Sequence, residues 1–347
     1  MKVDGELHFS LQERGSAAHS AVVGAQVGYD RLFVAEAAVD PFLPLALAAG
    51  AADVHLGTSI TVAFARNPMT TALSAHNLQT LTEGRFVLGL GSQVQAHITR
   101  RYSMPWSRPA ARMRDFVLAL RAIWDSWQHG TRLRYEGEFY QHTLSSFAFD
   151  PPASPYPPPL TYLGAIGPRM TEVAGEVADG LLCHGLTSVS YFADVMLPAL
   201  RRGLAKSGRD RQHFDISPWV CVATAPPGHD LDKAVEKVRL QLAFYGSTPA
   251  YTRVLDHHGW GDLQPELNRL SKEGRWSEMA RLIDDDMLNT FAVIADSDHL
   301  AEEILHRYGG LVGTIRLNVP YLDDPDRWSA VVAELKNAKV GAEPATR

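Results

Sequence analysis

The side chains in this sequence that could do chemistry cluster just after short apolar runs. Glu36 closes "RLFVAE" (31–36), His8 follows "VDGEL" (3–7), and His184 follows "GLLC" (180–183). His97 lies six residues beyond Gly91 in "FVLGLGSQVQAHITRRY". A carboxylate whose pKa is raised by burial can act as a general acid or base, and histidine titrates near neutrality. Glu36 could equally bond a backbone amide or Arg66. Ser59 and Thr61, at the end of "VHLGTSIT" (54–61), offer hydroxyls to a ligand or simply form a turn. The G-x-G-S of Gly89 to Ser92 would let a backbone approach a ligand closely, but it is not the G-x-G-x-x-G of dinucleotide folds.

A second kind of chemistry is suggested by "TYLGAIGPRMTEVAGEVADG" (161–180). It reads as a strand, a turn marked by Gly164 and Gly167, and a helix begun by Pro168. The first amides of a helix lack partners and carry partial positive charge, so an anion gains there. Pro168 has no N–H, which leaves the amides of Ile166, Gly167, Arg169 and Met170 as donors. The other reading is an ordinary strand-to-helix turn. Two further clusters are read as structural: His257-His258 as a solvated helix end, and Asp284 to Asp286 as a solvated face or the first turn of "MLNTFAVIA".

These residues need elements to hold them. Apolar runs at 3–9, 31–36, 54–61, 85–91, 160–164, 180–185, 214–224 and 313–319 read as strands separated by helical patterns. Met113, Phe116, Val117, Leu120, Trp124 and Trp127 recur at helical spacing and predict one long core helix over 108–130, with Pro109 at its first position. "LRYEGEFYQH" (133–142) reads as a hairpin, and six prolines in 150–159 as an extended surface loop. The stretch 229–309 reads as mostly helical, and 340–347 as a disordered tail. Eight strands alternating with helices predict an α/β fold, a single (β/α)8 TIM barrel domain over 1–347 with a helical insertion after strand 7 at about 229–309. An open doubly wound sheet is the competitor, but the first strand lacks its glycine-rich turn. In a barrel, chemistry sits at the C-terminal ends of the strands, where Glu36, Ser59, Gly91, Gly164 and His184 fall.

The bulk properties exclude several classes. A net charge of −6 argues against a nucleic-acid or anionic-membrane surface. The longest apolar run, "LPLALAAGAA" (43–52), is far short of the roughly 20 residues that span a bilayer. The amino-terminal "MKVDGELHF" lacks a signal-peptide core. With only Cys183 and Cys221, a disulfide framework is not expected, and a cytoplasmic location is. H-E-x-x-H, C-x-x-C, G-x-S-x-G and P-loop motifs are missing, and no metal site is expected.

The stretches "VGYDRLFVAEAAVDPFLPLALAA", "VHLGTSITVAFARNPMTTALSAHNLQTLTEGRFVLGLGSQ" and "YLGAIGPRMTEVAGEVADG" resemble the bacterial luciferase-like monooxygenase superfamily. "RRYSMPWSRPAARM" looks most like its actinobacterial coenzyme F420-dependent branch. The resemblance implies an oxidoreductase that passes a hydride between F420 and a small organic substrate. An FMNH2-dependent monooxygenase is the alternative, and a catalytically inactive docking barrel the third. It implies a bulge after strand three with a cis Ser59–Ile60 bond, against which the cofactor ring rests, with Thr61 beside it. The phosphate would meet Ile166, Gly167, Arg169 and Met170, the ribityl chain Ser92, Gln93 and His97, and Glu36 would sit near the ring. Where several members carry a catalytic histidine, this chain has Ala37, so either His8, His97 or His184 takes its place or the reaction needs no such acid. Phe9, Trp106, Phe244, Tyr245 and Trp260 are candidate substrate contacts, and a homodimer is expected.

Overall fold

Each of the eight apolar runs forms a strand. They are β1 (Lys2–Glu6), β2 (Arg31–Val34), β3 (His55–Thr58), β4 (Phe86–Gly91), β5 (Leu160–Ala165), β6 (Gly180–Cys183), β7 (Asp215–Ala223) and β8 (Thr314–Asn318). The computed structural model describes residues 1–146, 148–226, 229, 231–318 and 325–338. Every neighbouring pair of strands is parallel, and β8 returns to pair with β1, closing the sheet into a (β/α)8 TIM barrel. A closed parallel sheet leaves no edge and needs a helix to cover each outer face. Helices α1 (Ser16–Val27), α2 (Phe42–Ala48), α3 (Pro68–Leu81), α4 (Pro109–His129) and α5 (Pro168–Val177) supply part of that cover.

The sequence patterns account for these elements. In α4, Met113, Phe116, Val117, Leu120, Trp124 and Trp127 are all buried, as the helical spacing predicts. Asp115 on α4 accepts from the amides of Phe139 (2.6 Å) and Tyr140 (3.0 Å) and from the Tyr135 hydroxyl, which ties the expected hairpin to the helix. Between β7 and β8 lie helices at Asp232–Gly246, Thr252–His257, Leu263–Glu273, Trp276–Arg281, Asp285–Phe291 and Leu300–Tyr308. Among the described residues the stretch is mostly helical, as expected, with one departure. The apolar run after the Asp284 cap is not helical throughout: Ala292–Ile294 is a short strand that pairs with β7, Cys221 opposite Ala292. A run of this length is compatible with either element, and an open partner on β7 decided it. Asp284 caps the helix before it, accepting from the Met287 amide at 2.8 Å. The expected tail at 340–347 lies outside the described residues.

Alternation along the strands divides the barrel interior into two zones. Low in the barrel, Arg31 donates to both Asp4 oxygens (2.8 and 2.7 Å) and to the Tyr162 hydroxyl (2.7 Å), and pairs with Asp215 at 2.7 Å. Thr314 and Ser217 complete this buried network. Above it, Phe33, Val87, Tyr162, Leu182 and Ile60 pack together as an apolar plug. The plug is the floor on which the C-terminal mouth is built.

Candidate functional site

β3 ends at Thr58, and the Ser59–Ile60 peptide bond is cis, at the position the resemblance implies. The chain then resumes as Thr61–Val62 beside β4. The Ile60 side chain turns inward onto the plug. A Cβ on Gly91 would come within 2.6 Å of Ile60, and one on Gly164 within 2.9 Å. A Cβ on Gly89 would lie 1.9 Å from the Thr58 carbonyl oxygen. The glycines of "GLG" therefore make room for the bulge, and the space of Gly91 belongs to Ile60 and not to a ligand.

Glu36 braces this bulge from the end of β2. Its amide donates to the Ile60 carbonyl at 3.0 Å. Its carboxylate accepts from the Val62 amide at 2.8 Å and from Arg66 at 3.1 Å, and Arg66 also binds Asp40 at 2.8 Å. Both carboxylate oxygens are thus engaged. The neighbouring Ala37 is exposed, and its carbonyl accepts from Arg101 at 2.8 Å.

Across the mouth, His184 follows β6. Its Nδ1 accepts from the Leu186 amide at 3.1 Å, which puts the proton of the neutral ring on Nε2. The ring packs on Tyr245 (4.5 Å) and Tyr251 (4.6 Å), with Trp219 at 6.3 Å. Burial, helped by the nearby Arg316 charge, lowers its pKa to about 4, so it is neutral at physiological pH. Gln241 donates to the Tyr245 hydroxyl (2.9 Å) and accepts from Asn318 (3.0 Å), fastening the Asp232–Gly246 helix to the end of β8. Arg316 of β8 lies between Phe33 (5.5 Å) and Trp219 (5.0 Å) and donates to the Ser59 hydroxyl. Glu6, at the end of β1, has its pKa raised by burial, which outweighs the opposing Arg316 charge.

The turn after β5 begins a ten-residue helix, with Gly167 in extended conformation and no side chain capping it. The Gly167 carbonyl accepts from the Thr171 amide at 3.1 Å, and the Ile166 carbonyl from the Tyr191 hydroxyl at 3.0 Å. The first-turn amides of Arg169 and Met170 have no helical acceptor. A Cβ on Gly167 would come 3.3 Å from Nη1 of Arg253, whose guanidinium lies over the turn from the Thr252–His257 helix. The Arg169 side chain is exposed.

A sequence profile described as luciferase-like monooxygenase matches residues 4–314. The chain belongs to this family. It is 51% identical over 316 residues to an uncharacterized protein of Mycobacterium tuberculosis, covering 91% of this chain and 92% of the relative. It is 29% identical over 258 residues to the 5,10-methylenetetrahydromethanopterin reductase of Archaeoglobus fulgidus, covering 72% of each. The solved structure of the coenzyme F420-dependent tetrahydromethanopterin reductase from Methanopyrus kandleri superposes with a TM-score of 0.77 at 20% identity, covering 97% of this chain and 99% of that one. The protein is an enzyme, an oxidoreductase of the luciferase-like family.

Set on that family frame, the candidate residues separate. Ser59, Ile60 and Thr61 form the bulge, Glu36 is bound to it, and Ile166, Gly167, Arg169 and Met170 form the turn. Ser92 donates to the Gln93 carbonyl (3.0 Å), and the Gln93 side-chain oxygen accepts from the Val94 amide (2.9 Å), which leaves the Gln93 amide donors and the Ser92 lone pairs for another partner. His97 starts a π-helical turn and is exposed. His8 is half-buried, and burial lowers its pKa. Among the described residues, no hydrogen bond joins Glu36 to His8, His97 or His184.

Of the aromatic candidates, Tyr245 lines the mouth against His184. Phe244 is instead 51% exposed and rests on Trp276, and Trp260 stacks on His258 at 4.9 Å and packs on Phe291. Helical rotation by one residue separates Phe244 from Tyr245. Among the described residues, no helix is long and apolar enough to cross a membrane.

Glu6, Trp219, Tyr251, Arg253 and Arg316 were not anticipated. Arg316 did carry a signal, because alternation in "TIRLN" puts it on the same face as the polar Thr314 and Asn318, opposite Ile315 and Leu317. Arg253 carried none, since only the folded helix brings it over Gly167.

Proposed function

We propose that the protein is an F420-dependent oxidoreductase that moves a hydride between the deazaflavin and a small organic molecule held over the mouth. The fit rests mainly on the uncapped start of α5 under the Arg253 guanidinium. Two first-turn amides without a helical acceptor and an exposed cation beside them suit a phosphate at one end of an elongated cofactor. The bulge at the other end of the mouth offers a face for a planar ring. F420, when bound, supplies the hydride chemistry.

The chain's own residues do the rest. The Arg169 and Met170 amides with Arg253 hold the phosphate. Glu36 and Arg66 keep the bulge in register. His184 presents an Nε2–H, and because burial keeps its ring neutral it serves as a hydrogen-bond donor to substrate, replacing the histidine that Ala37 lacks. The Tyr245, Tyr251 and Trp219 rings keep water from the reacting carbon.

An FMNH2-dependent monooxygenase is the second reading, favoured by the family description. Titration of the purified protein with F420 and with FMN, followed by fluorescence, separates them. Micromolar affinity for F420 with at least tenfold weaker FMN binding is expected. Micromolar FMN binding with none for F420 would overturn the first reading.

A further inference from the structure

Arg316 is 4% exposed, and its Nε is buried without a hydrogen-bond partner. Among the described residues no carboxylate lies within ion-pair distance of it. This contrasts with Arg31 one layer below, which is saturated by Asp4, Asp215 and Tyr162. A buried guanidinium is ordinarily paired, because the cost of removing a charge from water is offset only by a close anion or several hydrogen bonds. Arg316 has two aromatic rings and one hydroxyl instead. Stacking on rings offsets only a small part of such a cost. The groups that face it are Glu6, Asp4, His184, Tyr245 and Cys183. Asp4 is already held by Arg31, and the His184 ring is neutral. The Cys183 thiol is pushed up to about 12 by burial and stays protonated, and burial likewise keeps Tyr245 in its neutral form. Glu6 is the one remaining carboxylate, and it stops short of contact.

We propose that Arg316 is the substrate's anion-recognition residue, and that the oxidoreductase acts on a small planar carboxylate. The carboxylate completes the coordination of the guanidinium, while Trp219 and Tyr245 flank its planar body and the His184 Nε2–H donates to a second oxygen. Arginine suits this task because its fork matches a carboxylate and its charge persists when buried. The inference rests on the mouth being the substrate side of the site.

Calorimetric titration of the full-length protein with benzoate and with the isosteric, neutral benzamide tests it. The wild type is expected to prefer benzoate at least tenfold. Arg316→Gln keeps a donor for Ser59 and removes the charge, and the preference should fall below about twofold. Should that variant fail to fold, Arg316→Lys carries the test, with the preference reduced but present. Equal binding of the two probes by the wild type, no binding of either, or an undiminished preference in Arg316→Gln or Arg316→Lys would overturn the proposal. The outcome is independent of the cofactor. Benzoate preference without F420 binding would sink the cofactor reading alone, and F420 binding without benzoate preference would sink only this one.

Discussion

Glu36 shows how a residue type can be found correctly and still leave its role open. A carboxylate at the end of β2 suggests acid–base chemistry, but its oxygens are taken by the Val62 amide and Arg66. As a brace, it should tolerate Glu36→Gln, which keeps an acceptor for Val62. Glu36→Ala strands a buried amide and should cost about 1–3 kcal/mol of stability in urea unfolding, with weaker cofactor binding. If Glu36→Gln instead abolishes turnover while cofactor affinity and stability hold, the residue is catalytic. Arg253 makes the opposite point. It acts only through its place above Gly167, so Arg253→Ala should weaken F420 binding about tenfold without lowering Tm. Gly167→Val should weaken it further, because its branched side chain crowds both the guanidinium and the phosphate. Unchanged affinity in both would mean that the turn only joins β5 to α5.

Among the elements, the bulge between β3 and β4 is the most tightly specified. Its glycines face side chains or backbone that cannot all yield. Gly89→Ala would drive a Cβ into the Thr58 carbonyl and should cost more than about 3 kcal/mol or prevent folding. Gly91→Ala meets only Ile60, a side chain, so its cost should be smaller and Ile60→Val should recover part of it. Thermal unfolding of the two single variants and the double variant measures this, and equal costs at Gly89 and Gly91 would contradict the packing described. The "GLG" spacing was legible in the sequence, but its reason was not. A glycine that admits a ligand and one that admits an isoleucine from the next strand look alike until the neighbours are placed.

At the scale of the whole molecule, the barrel was readable because most strands are short, largely apolar and buried runs that alternate with helical patterns. Ala292–Ile294 was not readable, since its state depends on an open partner on β7, where each paired residue lies 71 positions earlier in sequence (292 − 221 for Cys221 and Ala292). Arg316 and Glu6 were missed for a related reason. Their importance comes from strands that meet only when β8 closes on β1. Burial of histidines at several places in the fold contributes to the pH response. His184 titrates near 4 in the fold and near 6.5 when unfolded, so the unfolded chain binds the extra proton between those values. Stability is therefore full above about pH 6.5 and lost as the pH falls toward 4. His184 alone should account for about 2 kcal/mol between pH 7 and pH 5. Burial depresses His8, His55, His76 and His142 in the same direction. His184→Gln should flatten the pH dependence of urea unfolding, and an unchanged slope would show that the ring is not held neutral. The central claim, that the mouth grips a phosphorylated deazaflavin between the α5 turn and the Ser59–Ile60 bulge, is tested most directly by a crystal structure of the F420 complex. The account predicts phosphate oxygens on the Arg169 and Met170 amides with Arg253 closed over them, and the ring against the bulge. A phosphate bound elsewhere, or a ring on the far side of the mouth, would contradict it.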